Sequence, residues 1–364
     1  MALRFVDGFD HYDKAHFDQK WTQHYFSGAG AVNGIQAGGR SGNCVQFSHN
    51  VGAGTDWIGK SLDSQTTWTV GFAFKTGNFS INGQVAPINI FLDGSLGQIM
   101  FGFDVSGFLC AYTIDGSTVF NNGTYPTYHL MAKSSQALVA NTWAYLECQT
   151  TFSATAGQMT ARINGVTAIN TAANLNTAPS GNASANAIYL MRSTNNITVY
   201  DADTQIDDLY ACDGTGNANN GFLGDVRIAP QYPSGPGSSS QFSVVGSSAN
   251  WSALNDNPPN DDTSYVASGT AGQQDLYTFT APPALAGTVF GLQINLFARK
   301  DDAGVRTIAP LVRTGSTTAA GGQVNPGTSY QDLTTILETN PANGNAAFTY
   351  AELSTDQFGV QEVV

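Results

Sequence analysis

The chain has 364 residues, enough for two domains, and only 11% of them are charged. A formal net charge of −13 repels a polyanion, and no local Lys/Arg cluster reverses that field, which excludes a nucleic-acid binder. No run of about 18 apolar residues is present to insert in a membrane, and the charged start MALRFVDGFDHYDKAHF predicts no signal peptide.

Helix-building material is scarce. Gly accounts for 40 residues, and among 27 acidic residues only Glu147, Glu338, Glu352 and Glu362 are Glu, so the acids are nearly all Asp, a turn former. In chain order, strand-length apolar or alternating segments recur at WTVGFAF (68–74), INIFL (88–92), QIMFGFDV (98–105), FLCAYTI (108–114), TWAYLECQTTF (142–152), QMTARING (158–165), AIYLMR (187–192) and TQIDDLYACD (204–213). Each is rich in β-branched or aromatic residues and bounded by Gly, Asn, Asp or Pro, which predicts an antiparallel sandwich or barrel over residues 1–228.

Composition breaks after Ile228, where APQYPSGPGSSSQ (229–241) reads as a linker or crossing strand. Beyond it, SYVASG, DLYTFTAP, TVFGLQINLFARK (288–300) and RTIAPLVRTG (306–315) predict a smaller β-sandwich domain over 242–364. YQDLTTILETN (330–340) and FTYAELSTDQF (348–358) are each expected to make one or two helical turns. The fold class is therefore all-β, with two domains.

Few residues point to chemistry. Cys44, Cys110, Cys148 and Cys212 lack zinc spacing, and the two within strand-like runs read as buried free thiols. His11, His16, His24, His49 and His129 form no metal motif, no Gly-x-Ser-x-Gly elbow occurs, and GAGAVNG (28–34) does not open a helix after a strand. In 206–213 the period of two puts Asp207 and Asp208 on opposite faces, so they are not expected to converge on one glycosidic bond. Both are assigned structural roles: one carboxylate satisfying backbone donors of the N-terminal segment, the other meeting a turn or solvent.

Asp201, Asp203 and Asp213, with Asn217 and Asn219, supply oxygens at alternate spacing and are the candidate Ca²⁺ ligands, against the plainer reading that they cap turns. No other cofactor is expected. Trp57, Tyr125, Tyr128 and His129 lie in polar, Gly- or Pro-containing stretches and are candidates for stacking on sugar rings, for a protein interface or for packing on a sheet edge.

Taken together, FVDGFDHYD (5–13), KWTQ (20–23), GRSGNCVQF (39–47), WTVGFAFK (68–75), TWAYLECQ (142–149), RINGV (162–166) and IDDLYACD (206–213) resemble the concanavalin A-like jelly roll of the laminin-G type. The continuation FLGDVRIAPQYPSG (222–235), NPPNDDTSYV (257–266), ARKDDAGVRTIAPLVRTG (298–315) and FGVQEVV (358–364) resembles structural proteins of tailed-bacteriophage virions, of tail-fibre or decoration type. That resemblance implies a non-enzymatic virion component that forms a homo-oligomer, contacts other virion proteins and is assembled in the host cytoplasm. A module that binds host surface polysaccharide is the alternative, and a polysaccharide-degrading enzyme ranks third because Glu is scarce.

Overall fold

The computed structural model describes residues 2–26, 33–47, 52–79, 86–118, 127–197, 204–283 and 287–364. They form two compact units: Met1–Phe9 with Trp21–Ile228, and Asp10–Lys20 with Ala229–Val364. Strands of the first unit run β1 (Leu3–Asp7), β2 (Gln23–Tyr25), β3 (Gly34–Ala37), β4 (Asn43–Phe47), β5 (Gly52–Gln65), β6 (Thr67–Thr76), β7 (Ala86–Asp93), β8 (Leu96–Phe103), β9 (Phe108–Ile114), β10 (Tyr128–Ala137), β11 (Ala144–Thr151), β12 (Gln158–Ile163), β13 (Val166–Asn170), β14 (Ala185–Ile197) and β15 (Thr204–Asp213).

These strands make a jelly-roll sandwich. Sheet one has the order β13-β12-β11-β6-β15-β4-β3, with β1 also on β15, and sheet two has the order β10-β9-β8-β7-β14-β5-β2. The alternation read from the sequence aims one face of each sheet at the other. Phe74 of β6 stacks on Phe103 of β8 with centroids 5.0 Å apart, and Phe91 of β7 meets Phe152 edge-on at 5.8 Å. Trp68 buries its ring in this core and donates its indole N–H to the carbonyl of Ala185 across the sheets at 2.8 Å. All four cysteines are buried and free, as expected of small hydrophobes.

Sheet one is closed on its outer face by its own continuation. Beyond β15 the chain folds back so that 221–228 crosses the outward side chains of β15, β11 and β12. Tyr210 donates its hydroxyl proton to Glu147 Oε1 at 2.6 Å and accepts the Leu223 N–H at 3.1 Å. Gly224 N–H reaches the same Glu147 oxygen at 2.8 Å, and Phe222 lies under the Arg162 guanidinium, 4.1 Å from the ring centroid. Tyr210 itself lies flat across Gly71, where a Cβ would stand 2.1 Å from the ring. Only glycine leaves that space.

The acid pair departs from the expected alternation. A register shift between Asp207 and Tyr210 inserts Asp208 as a bulge at φ +49°, so both carboxylates turn to the outer face and meet at Arg40. Asp207 Oδ2 accepts the backbone N–H groups of Arg40 (2.7 Å) and Ser41 (3.1 Å), fixing the β3–β4 turn. Asp208 Oδ2 accepts Arg40 Nε (2.9 Å) and Arg227 Nη1 (3.0 Å), while its Oδ1 accepts the Ile228 N–H (2.7 Å). Both carboxylates are buried, and the backbone donors they cap include those of the β3–β4 turn and Ile228; in the N-terminal segment Asp7 caps, accepting Phe9 N–H at 2.8 Å and the Trp21 indole N–H at 2.9 Å.

The second unit contains α1 (Phe17–Lys20), β16 (Pro233–Ser240), β17 (Ser243–Val245), β18 (Tyr265–Ala267), β19 (Gln274–Phe279), β20 (Leu292–Ala298), β21 (Ile308–Thr314), β22 (Thr317–Ala320), β23 (Gln331–Leu337), α2 (Tyr350–Leu353) and β24 (Gln357–Glu362). Its main sheet has the order β16-β19-β24-β21-β22. The proline-rich stretch expected to link domains thus includes a strand, because β16 lies at a sheet edge, where a missing N–H is tolerated. Residues 331–337, expected to be helical, instead pair with β20. Helix α2 does form, on a capping box between Thr349 and Glu352, within a core of Val312, Leu337, Phe348, Leu353 and Phe358.

Two outcomes are expected for the acid cluster. Arg40→Ala leaves Asp208 short of its main counter-charge in a buried setting and should lower stability by roughly 3–5 kcal/mol in denaturant melts. Burial first, and the neighbouring Asp207 charge second, push the Asp208 pKa up from 3.8 to about 7. The native state then holds more protons than the unfolded chain between those values, so this group's stabilising contribution falls as pH rises towards 7. Asp208→Asn keeps a residue that tolerates positive φ and should flatten that part of the melting-temperature profile; an unchanged slope would show that Asp208 is not its source.

Candidate functional site

The outer face of sheet two is built differently. Residues directly paired across antiparallel strands share a face, and β7, β8, β9 and β14 pair Tyr189 with Ile90, Ile90 with Met100, and Met100 with Tyr112. These side chains, with Leu92, Ile114 and Met191, form a buried apolar cluster on the side away from sheet one. The half-buried rings of Trp57 and Tyr128 pack against it.

At the β2 and β5 side of this face the register places Tyr25, Trp57 and Met191 in one row, and Gln23, Gly59 and Tyr189 in the next. Trp57 and Tyr189 stack nearly parallel, with centroids 5.0 Å apart and an interplanar angle of 9°. Tyr189 reaches this position by crossing Gly59, where a Cβ would stand 2.4 Å from its ring. Its hydroxyl donates to Gln23 Oε1 at 3.0 Å, and burial raises its pKa, so it stays protonated at neutral pH. Tyr25, beside Trp57 on the edge strand, is 54% exposed. The result is an aromatic step with a primary amide at its margin, where flat apolar surface and hydrogen-bonding groups lie side by side.

The sequence-derived candidates fall in separate places. Trp57 is on this face; Tyr128 is also on it, at the far β10 edge, where it meets Tyr112 edge-on at 5.7 Å. His129 pairs with Thr113 and so points to the opposite face, which separates it from Tyr128. Tyr125, Asp201 and Asp203 lie outside the described residues. Asp213 is buried in an ion pair with Arg4 and also accepts the backbone N–H of Thr215 at 2.7 Å. Among the described residues, no group of three or more His, Cys, Asp and Glu side chains is placed to hold a metal ion. Tyr25, Tyr189 and Gln23 were not singled out from the sequence. They come from two segments, β2 and β14, distant in the chain from each other and from Trp57, and the one local signal was Gly59, two residues after Trp57 on the same strand face.

No family model matches the chain, and no curated protein matches it. Solved structures resemble about half of it. A sialidase is 10% identical, with 52% of this chain matching 16% of the sialidase at a TM-score of 0.35. The marine PL-14 alginate lyase from Aplysia kurodai is 9% identical over 49% of this chain and 86% of its own, at a TM-score of 0.37. An alginate lyase from Chlorella virus is 10% identical over 50% and 89%, at 0.36. At these TM-scores and identities the likeness says nothing about this chain's site or substrate, and its jelly roll is read from its own sheet order. These neighbours are named as enzymes of saccharide chemistry, which runs against the expectation of a non-enzymatic virion component, and that expectation is withdrawn.

The geometry of the aromatic step has a direct consequence. Gly59→Ala should displace the Tyr189 ring, costing about 1–3 kcal/mol through overpacking. It should also alter the near-ultraviolet circular dichroism contributed by the Trp57–Tyr189 stack, with Trp57→Phe serving as the reference spectrum. A Gly59→Ala protein with the wild-type spectrum and stability would contradict this packing.

Proposed function

We propose that the first unit holds a polysaccharide chain against the rim of the outer face of sheet two, as the saccharide-engaging part of a polysaccharide-acting protein. One observation carries this reading: the Trp57–Tyr189 stack continues into exposed Tyr25 and is bordered by Gln23. The apolar faces of a pyranose ring stack on such rings, while its hydroxyls exchange hydrogen bonds with an amide. The sandwich supplies the rigidity, because the platform stands on paired strands and is continuous with a packed apolar cluster that includes Tyr189. The virion resemblance enters only as a setting: a particle that meets a host's surface polysaccharide is a place where such a unit would be carried.

The test is affinity electrophoresis of the full chain through gels containing different polysaccharides, paired with an assay for newly released chain ends. Retardation by at least one polymer is expected. Trp57→Ala and Tyr25→Ala should each weaken it about tenfold or more, the scale of a lost stacking platform of roughly 1–3 kcal/mol by analogy with base stacking. Migration unaffected by every polymer would overturn the proposal, and release of chain ends would identify the polymer as a substrate.

A further inference from the structure

The placement of positive charge narrows the ligand further. We infer that the saccharide held at this face is a neutral polymer, without carboxylate or sulfate groups; the inference rests on the polysaccharide reading above. The chain has only 14 Lys and Arg residues, and every one of them falls among the described residues. Segments outside the description therefore hold no Lys or Arg side chain.

Three of those cations stand on the strands of sheet two. Lys60 pairs with Ile188 and Arg192 with Asp56, positions that alternate with Trp57, Gly59 and Tyr189 and so face sheet one. Lys60 Nζ lies 4.7 Å from the Phe5 ring centroid, and Arg192 donates to Thr76 Oγ1 (3.2 Å) and to the Asn78 carbonyl (2.9 Å). Both are committed to the interior. Lys133, paired with Cys110, does share the outer face, but it is held in an ion pair by Asp104 and lies 4.3 Å from the Phe108 ring centroid, at the edge opposite Tyr25.

A uronate, sialate or sulfated chain laid along Tyr25 and Trp57 would thus give up hydration of its anions without meeting a Lys or Arg of the sheet-two strands there. It would also approach a molecule of net charge −13. A neutral chain gives up nothing of that kind: Trp57 and Tyr25 offer faces, and Gln23 offers amide donors and an acceptor. A neutral sugar also lacks the proton α to a carboxylate that elimination of a glycosidic bond removes, so an eliminating reaction has no substrate in this class.

The full chain is run at low ionic strength in gels carrying a neutral polymer (mixed-linkage β-glucan, galactomannan or dextran) or an acidic one (alginate or polygalacturonate). Retardation is expected in at least one neutral gel, weakened tenfold or more in Trp57→Ala, and in Tyr25→Ala should the first variant fail to fold. No retardation is expected in the acidic gels. Gln23→Lys, which adds a cation beside the platform on an exposed edge strand, should gain retardation by an acidic polymer. Trp57-dependent retardation of the wild type by alginate or polygalacturonate would overturn the neutral-ligand inference while leaving the polysaccharide reading intact. Failure in every gel would overturn both.

Discussion

A guanidinium that is only 9% exposed organises the outer layer of sheet one. Arg40 cannot be buried unless its charge and its donors are met, and the chain meets them from three directions: Asp208 on a β15 bulge, Asp225, and the carbonyl of Val226. Arg40 also lies 5.1 Å from the Tyr145 ring centroid, whose hydroxyl donates back to the Asp208 carbonyl at 3.0 Å. Each group here is satisfied only while the others stay in place. The segment 221–228 is thereby fastened over sheet one at both ends, by Glu147 and Tyr210 near Leu223 and by Asp208 at Ile228.

That dependence also marks where sequence reasoning stops. The segments WTVGFAF, FLCAYTI and TWAYLECQ announce themselves as strands, because alternation is a local property and the side-chain period is fixed. The side on which Asp208 falls is not local. It turns on one inserted residue at φ +49°, and that bulge is stabilised by Arg40, 168 positions away. The same limit applies at 331–337, where Leu and Thr spacing fits a helical turn until β20 offers an antiparallel partner. Prolines in β16 mislead for the converse reason, since an edge position forgives them.

The candidate site was legible in one residue and hidden in the rest. Trp57 stands out because a large aromatic in a Gly- and Asp-rich stretch has no local reason to be there. Its partners come from β2 and β14, and only the sheet order brings Tyr25 and Tyr189 to it. Neighbourhood in sequence misleads for Tyr128 and His129, adjacent in the chain yet on opposite faces, because on a strand nearness along the backbone means separation across the sheet.

Both sheets use one device, a tyrosine laid across a glycine of the next strand: Tyr210 over Gly71, and Tyr189 over Gly59. The surroundings turn it to different ends. On sheet one Tyr210 bonds Glu147 within a layer that also holds Asp207, Asp208 and Arg40, and the segment 221–228 closes over it through hydrogen bonds and the Arg40–Asp208 ion pair. On sheet two Tyr189 lies among Trp57, Ile90 and Met191 in an apolar cluster, and the rim beside it keeps Tyr25 exposed. Of the chain's 14 Lys and Arg residues, Arg4, Arg40 and Arg227 stand against the buried carboxylates of Asp213 and Asp208. A sugar held at the aromatic rim, as proposed, would be selected by shape and hydroxyl chemistry, since no Lys or Arg of the sheet-two strands stands beside Tyr25 and Trp57.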